Sequence, residues 1–393
     1  MKYILNSQIC SLKPLRSVCL GLITAALSFA GDSAPTAYTL MVAVKTRDTI
    51  CGKTITGFAL PSVGANPPAI DESGAVAFYA TYSEGDQVGE GIFTPTSLIL
   101  KTGDTVGGYA LQGISFVPAL NDRGTVAVRG LSSSQAAILT PTALLVKTGD
   151  TISGQTLSSL GIPAMNNKGT VAFVGSSSSG DGIFTQTAQL ARTGVAIGGQ
   201  IPVTFGQPAI NESEMVAFQS WFAGGIATGI LTPTSLLVKT GDTIGGKTLT
   251  DLFFGPALNS NGTIAFVGTF SGGTGIFTQK NLLVEAGDKI GGKTLTSFGY
   301  PMISDNGVVA FFATYAGGEG IFTQKAAIAK TGETICGKTL VGVGQPVISK
   351  HGIVAFLALF SDRSSAIVLA QGNTGLLEKS SHTVRPDFTC PLD

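Results

Sequence analysis

Three observations predict the fold class. A stretch of about 46 residues recurs along the chain, a period typical of propeller blades or helical-pair repeats. Apolar residues alternate with period two, and no helical periodicity appears. Charged residues are only 12% of the 393, about half the usual share for a globular protein. Together they predict an all-β chain: a seven-bladed β-propeller with about four strands per blade, its ring closed by N- and C-terminal strands. The low charge fits sheets covered on both faces by neighbouring sheets.

Each repeat is organised around a tight hairpin, seen most cleanly at Pro256-Ala257-Leu258-Asn259-Ser260-Asn261-Gly262-Thr263-Ile264-Ala265-Phe266. Asn, Asp or Ser opening a turn, with Gly three residues on, is the signature of a type I turn followed by a left-handed residue. The openers are Asp71, Asn121, Asn166, Asn211, Asn259, Ser304 and Ser349, and Glu214 alone replaces the closing Gly. Proline sits at a strand start, where no amide donor is needed. After the turn, Ile264, Phe266 and Phe270 point one way and Ala265 and Val267 the other. Two more strand signals follow in each period: Gly-Ile-Phe-Thr, as at Gly275–Thr278, and Leu-Leu-Val-Lys-Thr-Gly-Asp, as at Leu236–Asp242. The strand that contains Thr248-Leu249 makes the fourth.

Residues 1–30 read as a secretory signal peptide: Lys2, Lys13 and Arg16, then a short apolar run to Ser28-Phe29-Ala30. Residues 31–37 form a linker, 38–383 the propeller and 384–393 a tail. Without its leader the chain is mildly acidic, which excludes a polyanion-binding protein. A secreted or periplasmic location is expected. Leu40–Asp48 and Leu376–Lys379 both match the fourth strand, so either end can complete the last blade and remove an open edge.

The tandem Asn-x-x-Gly-x-x-Ala-Phe pattern resembles the repeat family named for that motif, exported bacterial proteins with varied C-terminal anchors. The resemblance spans about residues 38–383 and implies export and no assigned activity. The tail from Thr383 to Asp393 departs from it, having no apolar anchor.

Cys51 and Cys336 hold the same repeat position in the first and last copies. Cys390 follows the closing strand. A Cys51–Cys390 bridge is preferred, since equivalent points on adjacent blades are far apart for bridge geometry; Cys336 is the alternative partner, and unpaired thiols carry equal weight. No catalytic constellation, metal site or cofactor motif appears. His351 sits in a turn without a partner at ligand spacing, as His382 lacks one. The carboxylates Asp48, Asp104, Asp150, Asp242, Asp288 and Glu333, with Val195 in the seventh place, read as turn residues bonding their own backbone rather than a calcium ring.

Two copies lengthen the same connection. The first carries Glu84, Asp86 and Glu90, and the fourth carries Trp221, the only Trp, beside Phe222. Insertions on one face of a repeat ring often bind partners. These five residues are the candidate binding site, with Trp221 and Phe222 as an exposed pair or as cover for their own blade. Two functions stay open: a monomeric non-enzymatic scaffold for a protein or cell surface, or a propeller that binds or cleaves a surface glycan.

Overall fold

The computed structural model describes residues 35–58, 67–224 and 227–373. Among these residues every regular element is a strand, and no helix is long and apolar enough to cross a membrane. The expected signal peptide at residues 1–30, Leu376–Lys379, His382, Cys390 and the expected tail lie outside the described residues. The strands form seven antiparallel meanders arranged in a ring, a seven-bladed propeller.

Blade 5 shows the unit. Strand A runs Lys247–Leu258, B Ile264–Phe270, C Gly273–Thr278 and D Leu282–Glu285, paired in that order. The A–B turn is the repeated hairpin. Gly262 donates its amide to Asn259 O at 3.1 Å with φ +78°, the left-handed angle that explains the glycine. The other two sequence signals meet in register. Phe266 of the Ala-Phe pair lies opposite Phe277 of Gly-Ile-Phe-Thr, and their rings stack at 5.7 Å. Phe78–Phe93, Phe173–Phe184 and Phe311–Phe322 repeat the pair. Such pairs stabilise by about 0.5–1.5 kcal/mol beyond their area.

The two faces of strand B belong to two different cores. Ile264, Phe266 and Phe270 pack with Ala217 and Ile230 of blade 4. Ala265 and Val267 pack with Val309 and Phe311 of blade 6. Each neighbouring pair of blades encloses such a core. This two-sided burial is why alternation here is apolar–apolar and why charge is scarce.

The ring closes through the N-terminal strand. Tyr38–Lys45 pairs antiparallel with Ser365–Gly372, placing Leu40 opposite Ala370 and Val42 opposite Val368. It therefore serves as strand D of blade 7, whose other strands come from the C-terminal end. Nearer the axis, the last residues of each strand A touch the same residues of the next blade, and Val347–Ile348 of blade 7 reaches Ala69–Ile70 of blade 1.

Glu214 keeps the turn of its glycine counterparts. Its amide donates to Asn211 O at 3.0 Å, and its φ is +62°. Lys168 and Thr170 of the preceding blade approach its carboxylate at 3.6 and 3.3 Å, both at the surface. A side chain forced into the left-handed region costs about 1 kcal/mol or more, and exposed ion pairs return little of it. Glu214→Gly is therefore expected to stabilise the protein by about 1 kcal/mol, read as a higher thermal midpoint. An unchanged or lower midpoint would show that the Lys168 and Thr170 contacts outweigh the strain.

Candidate functional site

The A–B turns converge on one mouth of the central channel, and their sequence is explained by contacts between blades. Each turn-opening Asn does two jobs. Its Oδ1 accepts local amides, as Asn259 does from Asn261 and Thr263. Its Nδ2 donates to the next blade's carbonyl: Asn121 to Asn166, Asn166 to Asn211, Asn211 to Asn259 and Asn259 to Ser304, at 3.1–3.3 Å. Asp71, Ser304 and Ser349 satisfy the turn but carry no such amide donor.

The residue after the opener builds a second belt. The amides of Glu72, Asp122, Asn167 and Ser260 donate to the side chains of Asp122, Asn167, Glu212 and Asp305, each in the following blade. Lys350 supplies a cation at this mouth. Its Nζ lies 2.5 Å from Asp122 and 3.1 Å from Glu212, joining blade 7 to blades 2 and 4 across the channel. Asn167 also donates to Asp122. Partial burial alone would raise the Asp122 carboxyl, but Lys350, Asn167 and the Glu72 amide outweigh it and hold its pKa below the ordinary value. Burial works to lower Lys350, and the two carboxylates overcome it and raise its pKa. Both carboxylates are thus tied to Lys350, and Asp122 also to Asn167 and the Glu72 amide.

At the opposite end of the blades lie the B–C turns and the starts of strand A. The channel there is lined by residues preceding the repeat prolines. The Phe254 and Tyr300 rings meet at 4.1 Å, tilted by 36°, between blades 5 and 6, and Phe254 is held at φ +64°. Gln345 packs over Gly299, where a Cβ would collide with its amide. Its Oε1 is buried without a partner. Burial raises the pKa of the Tyr300 hydroxyl.

The five expected binding residues all fall toward this end, in blades 1 and 4, and they do not form one site. Glu84 binds Lys53 at 2.5 Å. Glu90 accepts the Tyr79 hydroxyl at 2.6 Å, and burial, reinforced by Glu90, raises the Tyr79 pKa. Asp86 is exposed at the hairpin tip. Trp221 is 41% exposed, whereas Phe222 is 2% exposed and packs with Phe205 and Phe218. The exposed Trp–Phe pair is thus corrected: adjacent strand residues face opposite ways, so only Trp221 is at the surface.

The feature that sequence reading missed surrounds Trp221. In blades 1, 3, 5 and 6 the exposed edge of strands A and B carries hydroxyls bonded across the strands. Thr56–Thr81, Thr250–Thr269 and Thr296–Thr314 meet at 2.8–2.9 Å, and Ser158 and Ser176 fill the same places in blade 3. The blade-4 counterparts are Val203 and Trp221. Ile201 replaces the Thr of Thr243–Thr248 and its equivalents, and Val195 replaces the turn acid. Val195, Ile201 and Val203 are 45–50% exposed. Pro202 stands where Leu249 donates its amide to Asp242 O, so that bond is lost as well. A repeat-by-repeat comparison of surface positions would have found this edge.

The remaining carboxylates have structural work. Asp48, Asp104, Asp150, Asp242, Asp288 and Glu333 each accept the amide three residues earlier at 2.9 Å. His351 is exposed beside Lys350 in its turn. Cys51 and Cys336 are both disulfide-bonded, which removes the reading of both as unpaired thiols.

Replacing Lys350 with Met leaves Asp122 and Glu212 facing one another without their cation. The side chains of Lys350, Asp122 and Glu212 are 26%, 12% and 29% exposed, so solvent screens part of the loss, about 1–2 kcal/mol at neutral pH. The lowered Asp122 pKa makes its contribution full above the ordinary carboxylate range and lost as pH falls through the folded value. The raised Lys350 pKa makes its contribution full below the ordinary lysine range and lost as pH rises through the folded value. Urea titrations should therefore show a difference between wild type and Lys350→Met that is flat near neutrality and shrinks at both extremes. A constant difference would assign the effect to packing.

No curated protein matches the sequence. Among solved structures, the chain is similar to a streptogramin B lyase, at 11% identity and TM-score 0.38 over 86% of this chain and 98% of that one. It is similar to an oligogalacturonate lyase in complex with manganese, at 9% identity and TM-score 0.48 over 86% and 99%. It is also similar to the Cps50 (Swd1) β-propeller domain of Myceliophteria thermophila, at 10% and TM-score 0.37 over 82% and 100%. A family model, described as a family of unknown function (DUF7453), matches residues 35–281, well over half of the chain. The protein belongs to that family.

Proposed function

We propose that this protein is an exported, non-catalytic propeller that binds a protein partner through the face carrying the B–C turns. The observation that carries this is the edge of blade 4, where Val195, Ile201, Val203 and Trp221 stand in place of an acid and hydroxyls. Exposed apolar residues around a Trp are the chemistry of an interface centre. Blades 1, 3, 5 and 6 keep a polar ladder there; blade 7 also exposes a valine, Val341, and blade 2 Leu131, but blade 4 joins its apolar positions to the Trp and to the loss of the turn acid. Export rests on the basic, apolar N-terminus and on the likeness to the exported Asn-x-x-Gly repeat proteins, and a secreted or periplasmic place follows from it. Lys350 engages Asp122 and Glu212, the paired carboxylates of the other mouth, in a blade-to-blade bridge, which favours binding over acid–base chemistry there.

A second reading, a glycan-binding propeller, is favoured by Phe254 and the exposed Tyr300 at the channel mouth, since sugars stack on rings.

The test restores the ladder. A variant with Ile201→Thr, Val203→Thr and Trp221→Thr should melt close to wild type, because these sites are exposed. Wild type should retain a protein from the surface of its native cells, and the restored variant should not. Retention of the same partner by both would sink the proposal, and binding on a glycan array that survives the triple change would favour the second reading.

A further inference from the structure

The same face offers the complement of the blade-4 edge. In blade 1 the B–C hairpin continues past the last pair found in its sisters. Ser83 pairs with Val88 and Glu84 with Gln87, whereas blade 5 ends at Phe270 with Gly273. Two further residue pairs raise the hairpin by about 7 Å. Lys53 braces it by binding Glu84 at 2.5 Å and by lying over the Tyr82 ring at 5.1 Å. Its tip presents Val88, 78% exposed, beside the exposed Asp86. It is a stiff peg with an apolar side chain and a carboxylate.

Blade 4 presents the opposite chemistry. In four of its sister connections a lysine pairs with the turn acid: Lys101–Asp104, Lys147–Asp150, Lys239–Asp242 and Lys330–Glu333, at 2.9–3.4 Å. Here the basic residue is the exposed Arg192, and the acid has become Val195. The substitution leaves a guanidinium without the turn carboxylate, on the connection whose Gly194 amide bonds Pro202, between Ile201 and Val203.

We propose that the protein pairs with a second copy of itself, face to face, the blade-1 hairpin of each chain lying on the blade-4 edge of the other with Asp86 against Arg192. The proposal rests on the reading of blade 4 as a binding edge, names its occupant, and replaces the expectation of a monomer. Both features stand on the face of the B–C turns. A two-fold axis in the plane of that face, directed between blades 1 and 4, exchanges the two blades. Both contacts then form at once and the assembly closes. The apolar contact supplies affinity, and the Asp86–Arg192 pair fixes the orientation.

Sedimentation velocity over a concentration series is the test. Wild type should form a dimer. Trp221→Ala and Arg192→Glu should each weaken it at least tenfold, and Arg192→Glu combined with Asp86→Arg should restore it. Val203→Thr, which returns the residue type of blades 1, 5 and 6, guards against misfolding as the cause and should also weaken the dimer. A wild type that stays monomeric at every concentration overturns the proposal while leaving the binding role of blade 4 open. A dimer indifferent to all these changes overturns it too, by placing the interface elsewhere.

Discussion

Every blade must bury both faces of its sheet, and only a closed ring gives all seven blades two neighbours. Most of the sequence follows from that constraint. Strand B alternates between two cores, so Phe266 and Ala265 are both fully buried yet serve different interfaces. The glycines and alanines that flank the large residues let sheets approach. The first strand leaves the start of the chain to pair with the last blade. Without it, the strand Ser365–Gly372 would present an unpaired edge to solvent, and the ring would have a seam.

Closure also decides where function can reside. Sheet faces are used up by packing. One channel mouth is used up by the Asn belt, the second belt of amides and carboxylates, and the Lys350 bridge. Among the described residues, the opposite face stays open, with the Phe254–Tyr300 mouth, the blade-1 hairpin and the blade-4 edge. A repeat protein advertises such a place by breaking its own rule where the fold gains nothing. Glu214, Val195, Pro202 and Trp221 all fall in or just before blade 4. Glu214 carries backbone strain and Pro202 gives up a hydrogen bond that the sister blades keep.

The architecture was legible because repetition multiplies a weak local signal. One such turn is a guess, whereas seven copies of the turn opened by Asn, Asp or Ser, in phase with the Ala-Phe and Gly-Ile-Phe-Thr signals or their variants, fix strand count and ring size. The turn role of Asp242 was equally legible, being local. The Lys350 bridge was not, because it joins positions 228 and 138 residues apart that meet only at the axis. The inter-blade role of the Asn Nδ2 was hidden for the same reason: Asn, Asp and Ser open the turn equally well, and only the neighbour distinguishes them. Phe222 could have been placed from the sequence, since a strand that exposes Trp221 must bury the next residue. The blade-4 edge was not legible from loop length, because it consists of single surface positions of the repeat that differ only when the copies are aligned strand by strand.

The central claim is that the N-terminal strand is an integral part of the last blade and that ring closure holds the whole molecule. Native-state hydrogen exchange tests it most directly. Amides of Tyr38–Lys45 that pair with Ser365–Gly372 should open with the same free energy as the strand-B amides of blades 3 and 5, because losing the closure costs the ring as a unit. If the Tyr38–Lys45 amides exchange through a separate low-energy opening while the other blades stay protected, closure is an ornament on an already stable stack and the account is wrong.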